Sequence, residues 1–195
     1  MSIKIGIAGP VGSGKTSIIE QLTNVLKENY TLGIVTNDIY TTEDANYLKN
    51  HLDIDKERII GVETGGCPHT AIRDDISANQ KAIEELEAAF DPDIIFVESG
   101  GDNLSATFSY ELIDYYLYVI DVAQGADIPR KKGAGLLFSD LLVVNKTDLA
   151  SYVGVDLDLM QKDVKMNRKN KPYLFMSSKD PSTILKTREW ILSLL

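Results

Sequence analysis

Three features of the chain predict an α/β domain with a mostly parallel central sheet and helices on both faces. Short apolar runs recur along the sequence, segments with apolar residues at helical spacing separate them, and a glycine-rich turn joins the first run to the first such segment. Strands that alternate with helices are joined by right-handed crossovers, and ligands of such sheets collect beyond the carboxyl ends of the strands.

The first strand is read at Ile3–Ala8, where Ile3, Ile5 and Ile7 alternate with other residues. It runs into Gly9-Pro10-Val11-Gly12-Ser13-Gly14-Lys15-Thr16, the phosphate-loop pattern G-x-x-x-x-G-K-[ST] with a strand before it and a helix after it. The three glycines let backbone amides converge on phosphate oxygens. Lys15 supplies a point charge for the β- and γ-phosphates and Thr16 a hydroxyl for Mg²⁺. The helix opening at Lys15, with Ser17 in its first turn, adds a positive N-terminal dipole. The chain is therefore expected to bind a nucleotide as a single P-loop NTPase domain over residues 1–195.

Ile18, Leu22, Val25 and Leu26 carry that first helix forward. Further strands are expected at residues 31–36, 58–62, Ile94–Glu98, Tyr115–Asp121, Leu141–Asn145 and 173–176. Ile72, Ile76, Ile83, Leu86 and Phe90 share helical spacing, and Ile184, Leu185, Ile191, Leu192 and Leu195 suit a final amphipathic helix. No repeat, low-complexity tract or linker divides the chain.

Composition narrows the function classes. At 195 residues and 44% hydrophobic content, the chain can fill one sizeable core. A net charge of −9 argues against nucleic acid or an anionic membrane as a partner held by bulk electrostatics. The basic runs Arg130-Lys131-Lys132 and residues 165–171 are too short to reverse that and read as solvated faces. No run approaches the roughly 20 apolar residues of a membrane span. The first residues read as a strand rather than a leader, and the one cysteine, Cys67, excludes an internal disulfide and suits a reducing cytoplasm.

The base of the nucleotide is addressed by Asn145-Lys146-Thr147-Asp148, which follows the apolar run Leu141-Leu142-Val143-Val144. The Asp148 carboxylate can accept from both guanine N1–H and N2–H₂, a donor pair that adenine lacks. Asn145 can bond the purine edge and tie the loop down, while the Lys146 stem can lie along the ring. A site built on such bonds rejects an analogue lacking them by roughly 10⁴-fold. The backbone of Ser177-Ser178-Lys179, after the next strand, is a looser candidate for guanine O6.

Acids for Mg²⁺ come from two other strand ends. Glu98 closes one strand and leads into Ser99-Gly100-Gly101, where Gly100 can present its amide to the γ-phosphate. Asp38 is read as following the second strand, with Glu43 and Asp44 close behind. Each of these can contact Mg²⁺ or orient the attacking water, and each can instead cap the helix expected near Glu43.

Between these elements lies Glu63-Thr64-Gly65-Gly66-Cys67-Pro68-His69. A thiolate and an imidazole two positions apart can converge on a borderline metal such as Ni²⁺, Zn²⁺ or Cu. With one cysteine and two histidines, His51 and His69, soft and imidazole ligands within one chain cannot complete a four-coordinate site. Two copies of Cys67 and His69 meeting across a two-fold axis supply four, unless carboxylates or water fill the remaining positions.

With these residues assembled, the chain closely resembles the urease accessory protein G family, nickel-delivering GTPases of urease maturation. The likeness spans nearly the whole sequence: the phosphate loop, Thr36-Asn37-Asp38-Ile39-Tyr40-Thr41, the Gly61 to Thr70 segment with Gly-Gly-Cys-Pro-His, Glu98-Ser99-Gly100-Gly101-Asp102-Asn103-Leu104-Ser105, Ile128-Pro129-Arg130-Lys131, and Asn145-Lys146-Thr147-Asp148-Leu149. The resemblance implies a SIMIBI-type GTPase fold, GTP and GDP as ligands, Cys67 and His69 as nickel ligands, and a homodimer promoted by GTP. It also implies partner-dependent hydrolysis that releases Ni²⁺ to apo-urease in a complex with the other accessory proteins, in the cytoplasm. Two departures stand out: no histidine-rich segment precedes the first strand, so no extra metal store is expected, and Ser177-Ser178-Lys179 differs from the loop of many members. Rival readings are a GTPase serving another nickel or cobalt enzyme, and a metal-binding adaptor for which GTP is a structural ligand. A small-molecule kinase is disfavoured by Asp148.

Overall fold

The protein is described by a computed structural model covering residues 2–38, 41–65, 68–101 and 107–195, with the side chains of Pro68 and His69 excepted. Its strands are β1 (Ile3–Ala8), β2 (Leu32–Asp38), β3 (Ile59–Glu63), β4 (Ile94–Glu98), β5 (Tyr115–Asp121), β6 (Leu141–Asn145) and β7 (Tyr173–Phe175). They form one sheet in the order β3-β2-β4-β1-β5-β6-β7, and every neighbouring pair is parallel. The helices are α1 (Lys15–Leu26), α2 (Glu43–His51), α3 (Pro68–Arg73), α4 (Ser77–Phe90), α5 (Ile128–Lys131), α6 (Ala134–Phe138), α7 (Leu157–Arg168) and α8 (Pro181–Leu192).

The central strands are apolar throughout because helices cover both faces. Ile94, Ile95, Phe96 and Val97 of β4 are all fully buried, as are Leu117, Val119 and Ile120 of β5. One core packs Ile5, Ile7, Phe96 and Val119 against Ile18, Ile19, Leu22 and Leu26 of α1. The opposite core joins Val35, Val97 and Ile120 to Ile83 and Leu86 of α4 and Val164 of α7. Since β1 lies between β4 and β5, the loop after it emerges where the chain order reverses direction across the sheet, the usual place for a ligand.

The expected α/β architecture is found, with local corrections. β2 ends at Asp38, so Asn37 and Asp38 are its last residues; Thr64 N donates to Asp38 O at 2.8 Å and extends the β2–β3 ladder. β3 starts at Ile59 because residues 56–58 make a single 3₁₀ turn capped by the Asp55 carboxylate on Glu57 N. The periodic stretch from Ile72 to Phe90 divides into α3 and α4. Asp75 breaks it, its carboxylate accepting from both the amide and the hydroxyl of Ser77 in a local turn that competes with helix. In α8, Asp180 caps the Ser182 amide and Pro181 takes the first helical position. Ile184 and Ile191 are buried there and Leu185 is exposed; the helix ends at Leu192, so Leu195, expected within it, lies beyond its end and is exposed. Among the described residues no helix is long and apolar enough to cross a membrane.

Candidate functional site

A cavity of about 500 Å³ opens at the carboxyl edge of the sheet, lined by the phosphate loop, Asp38, Asp44, Tyr47 and Gly101. The loop's shape follows from its glycines. Gly14 has φ 97°, and a Cβ there would sit 2.4 Å from the Asn145 amide nitrogen; at Gly9 a Cβ would sit 2.1 Å from Val119 O, a backbone atom that cannot yield. Pro10 and Ser13 are buried, Val11 stands exposed on the rim, and Gly12 and Ser17 line the cavity. Lys15 is buried, and its Nζ donates to Pro10 O at 3.4 Å, a long bond that a phosphate oxygen outcompetes.

Thr16 faces the acids. Its hydroxyl donates to Glu98 Oε1 at 2.7 Å and lies 3.4 Å from Asp44 Oδ1. Glu98 is 1% exposed, and its Oε2 has no hydrogen-bond partner among the described residues. Burial pushes its pKa up to about 7; Lys15 and the Thr16 hydroxyl pull it down, and Asp44 and Asp38 push it up. The half-buried Asp44 is raised as well, by desolvation first, against the pull of Lys15. Mg²⁺ keeps several waters and takes one or two carboxylates together with phosphate oxygens. Thr16, Glu98 with its unpartnered oxygen, and Asp44 are a donor set of that hard-oxygen kind. Among the described residues no group of three or more His, Cys, Asp or Glu is gathered to hold a metal by protein alone. Glu43, expected among the magnesium candidates, is exposed and does not line the cavity; its neighbour Asp44 stands in that place. Asp38 lines the cavity and accepts from the Thr41 hydroxyl. Gly100 is buried in the loop after β4.

The base-side loop is tied directly to the phosphate loop. Asn145 Nδ2 donates to Ser13 O at 2.9 Å, and Asn145 Oδ1 accepts from Lys146 N at 2.8 Å, holding Lys146 at φ 58°. Lys146 Nζ reaches Gly12 O and lies 3.3 Å from the buried Asp121 carboxylate. Asp148 Oδ1 accepts from Ser177 Oγ at 2.7 Å, and Oδ2 pairs with Lys179 Nζ at 2.9 Å; the serine bond first, then the lysine, lowers its pKa. A carboxylate kept ionised in this way suits the paired donors of a guanine edge. Each of its oxygens retains a second lone pair, so the Ser177 bond does not block a base.

Sequence reasoning missed four members of this region. Gln124 Nε2 donates to Val11 O at 3.0 Å and braces the tip of the phosphate loop. Tyr47 lines the cavity and donates to Glu20 Oε2 at 3.0 Å. Asn37 and Asn79 form a buried pair behind the strand ends. Asn79 had a legible signal, a polar residue on the buried stripe of α4 with Ile83 and Leu86. Cys67 and the side chain of His69 lie outside the described residues. Their loop leaves β3 at Glu63 and enters α3 at Pro68, at the same edge as the cavity.

Comparison with known proteins agrees with this geometry. The family model described as CobW/HypB/UreG, nucleotide-binding domain, matches residues 3–175. The urease accessory protein UreG of Aliarcobacter butzleri (strain RM4018) is 79% identical over 195 residues, covering 100% of both chains. That of Lysinibacillus sphaericus (strain C3-41) is 60% identical over 190 residues, 97% of this chain and 91% of the relative. Among solved structures, HypB from Helicobacter pylori in complex with nickel superposes with a TM-score of 0.81 at 22% identity, covering 98% of this chain and 86% of that one, a likeness of fold.

Proposed function

This chain belongs to the UreG family of urease accessory proteins, within the CobW/HypB/UreG nucleotide-binding group, and from that premise we propose that it is a GTP-hydrolysing nickel metallochaperone. It carries Ni²⁺ between two copies of itself and delivers the ion to apo-urease together with the other accessory proteins. The observation that carries this reading is a shared edge. The phosphate loop, the Thr16–Glu98 pair, the Asp148 carboxylate and the start of the Cys67–His69 loop all stand at the carboxyl ends of one parallel sheet.

The residues take the following parts. The loop amides of Gly9 to Ser17 and the Lys15 ammonium hold the β- and γ-phosphates, and Gly100 adds an amide on the γ side. Thr16 and Glu98, with Asp44 or Asp38 nearby, would hold Mg²⁺, which when bound would supply charge neutralisation on the phosphates. Asp38 orients the attacking water, and Asn145, Lys146 and Asp148 hold guanine. Position 10 is proline and the phosphate loop carries no arginine, so no cation beyond Lys15 reaches the γ-phosphate from this loop. Hydrolysis by the isolated chain is accordingly slow, and dimerisation or partners complete the site. Cys67 and His69 from two copies form an S₂N₂ nickel site that hydrolysis loosens.

The test is activation of apo-urease with Ni²⁺, the remaining accessory proteins and this chain. Activation is expected with GTP, and not with a non-hydrolysable analogue or with Lys15→Ala. Equal activation without nucleotide would refute the GTPase role.

A further inference from the structure

Behind the nucleotide edge, two asparagines face each other in the dry interior. Asn37, next to last in β2, is 1% exposed and Asn79, in α4, is 0% exposed. Asn37 Nδ2 donates to Asn79 Oδ1 at 2.8 Å, and Asn79 Nδ2 returns a bond to Asn37 Oδ1 at 2.8 Å. The second hydrogen of each amide goes outward: Asn37 to Glu98 O at 2.9 Å and Asn79 to Ala71 O at 2.9 Å. All four N–H groups are used, and the two carbonyl acceptors fix which way each amide turns, since a flipped pair would set oxygen against oxygen. A buried polar network that is fully satisfied in this way is rigid and admits few alternatives.

What the pair connects gives it a role. Glu98 O belongs to the residue whose side chain meets Thr16, and Asn37 directly precedes Asp38, which lines the cavity. Ala71 lies in α3, two residues past His69. At the other end of the same loop, the Thr64 amide and hydroxyl both bond to Asp38 O, at 2.8 and 3.1 Å. The segment carrying Cys67 and His69 is therefore anchored at entry and at exit to the ends of β2 and β4, the strands whose acids address Mg²⁺ and the γ-phosphate. A shift at either strand end has a hydrogen-bonded path to both ends of the metal loop.

We infer that Asn79 is the positioning residue that couples nucleotide occupancy to the metal loop, touching neither ligand itself. This rests on the proposed nickel and GTP sites. The measurable quantity is the factor by which a non-hydrolysable GTP analogue tightens Ni²⁺ binding to the full chain, which linkage makes equal to the converse factor. In the wild type a factor in the usual range of about 5 to 150 is expected. Asn79→Ser removes every bond of the amide, and the isosteric Asn79→Asp removes both donated bonds, to Asn37 Oδ1 and to Ala71 O, while keeping an acceptor for Asn37 Nδ2.

Both variants are expected to bring the factor below about 2, while each ligand's affinity in the absence of the other moves less than about threefold. Ile83→Val, which loses stability on the same helix without touching the network, should retain the wild-type factor. A folded Asn79→Asp protein with wild-type coupling overturns the inference alone, as does equal loss of coupling in Ile83→Val. A wild type without coupling overturns both the inference and the nickel–GTP reading beneath it. If the variants do not fold, hydrogen exchange in the wild type decides: amides of residues 70–73 must gain protection when the analogue binds, and unchanged exchange there refutes the coupling.

Discussion

Replacing Asn145 with alanine separates two roles that one side chain can play at the nucleotide site. The side chain is 5% exposed, and its amide joins Ser13 O at 2.9 Å to Lys146 N at 2.8 Å. Truncation removes both bonds and leaves the buried Ser13 carbonyl and the part-buried Lys146 amide without this partner, each costing about 1–3 kcal/mol. Allowing for partial access of water in the space left behind, the fold should lose about 2–4 kcal/mol, read as a lower urea midpoint with an unchanged slope. The phosphate loop must then be ordered by its ligand, so nucleotide affinity should fall about 10- to 100-fold. The decisive probe is inorganic pyrophosphate, which has no base. If Asn145 acts through Ser13 O, pyrophosphate and GDP should weaken together in a calorimetric titration. Unchanged pyrophosphate affinity beside weakened GDP would show that the residue only reads the base, and the argued tie between the two loops would be wrong.

Other perturbations address the remaining parts of the site. In metal-free protein, Glu98 has a folded pKa of about 7 against an ordinary value of 4.5, so the native state holds a proton that the unfolded chain has released between those pH values. Its contribution therefore lowers stability as pH rises through that window, by about 3 kcal/mol in all. Glu98→Gln should be more stable than wild type by that amount at pH 8 and equal to it near pH 4 in EDTA, while losing Mg²⁺-dependent hydrolysis; parallel pH profiles would contradict the assignment. Asp148→Asn should trade guanine for xanthine nucleotides, and competition between GTP and ATP on the wild type should favour GTP by at least about 10³-fold; equal affinities would sink the guanine assignment. Arg168, 2% exposed, donates to Leu136 O, Ser139 O, Ser139 Oγ, Asp140 O and Pro172 O. Arg168→Met should cost at least about 3 kcal/mol in chemical denaturation with nucleotide selectivity intact, whereas a loss under 1 kcal/mol would show those carbonyls finding water.

The elements most legible in the sequence are those whose limits are set locally. The strands β1, β4, β5 and β6 are apolar runs ended by glycine or by a polar residue, and α1 starts at Lys15 because Gly14 adopts a left-handed conformation no other residue takes easily. The end of β2 was not legible, since the ladder through Asp38 depends on Thr64, a partner 26 residues away. The break at Asp75 hid inside an apolar pattern that spans two helices with one stripe. Asp44 rather than Glu43 faces Thr16 because Ala45 and Leu48 bury one side of α2 and so fix its rotation, which a first-turn acid cannot reveal alone. The Asn37–Asn79 pair was legible only by half: Asn79 stands out as a polar residue on the buried stripe of α4, but nothing local points to Asn37 as its partner until the topology brings β2 and α4 together.

Central to the proposed function is one equilibrium, in which GTP and nickel favour the same two-chain state. Light scattering with metal analysis of the eluted peak, on the full chain with Ni²⁺ and a non-hydrolysable GTP analogue, measures it directly. The expected result is a dimer holding one nickel per two chains, reverting to monomer with GDP, with Cys67→Ala or His69→Ala, or on chelation, while monomeric GTP binding survives in both variants. A chain that stays monomeric with both ligands present, or that binds nickel with the same affinity whatever the nucleotide, would contradict it.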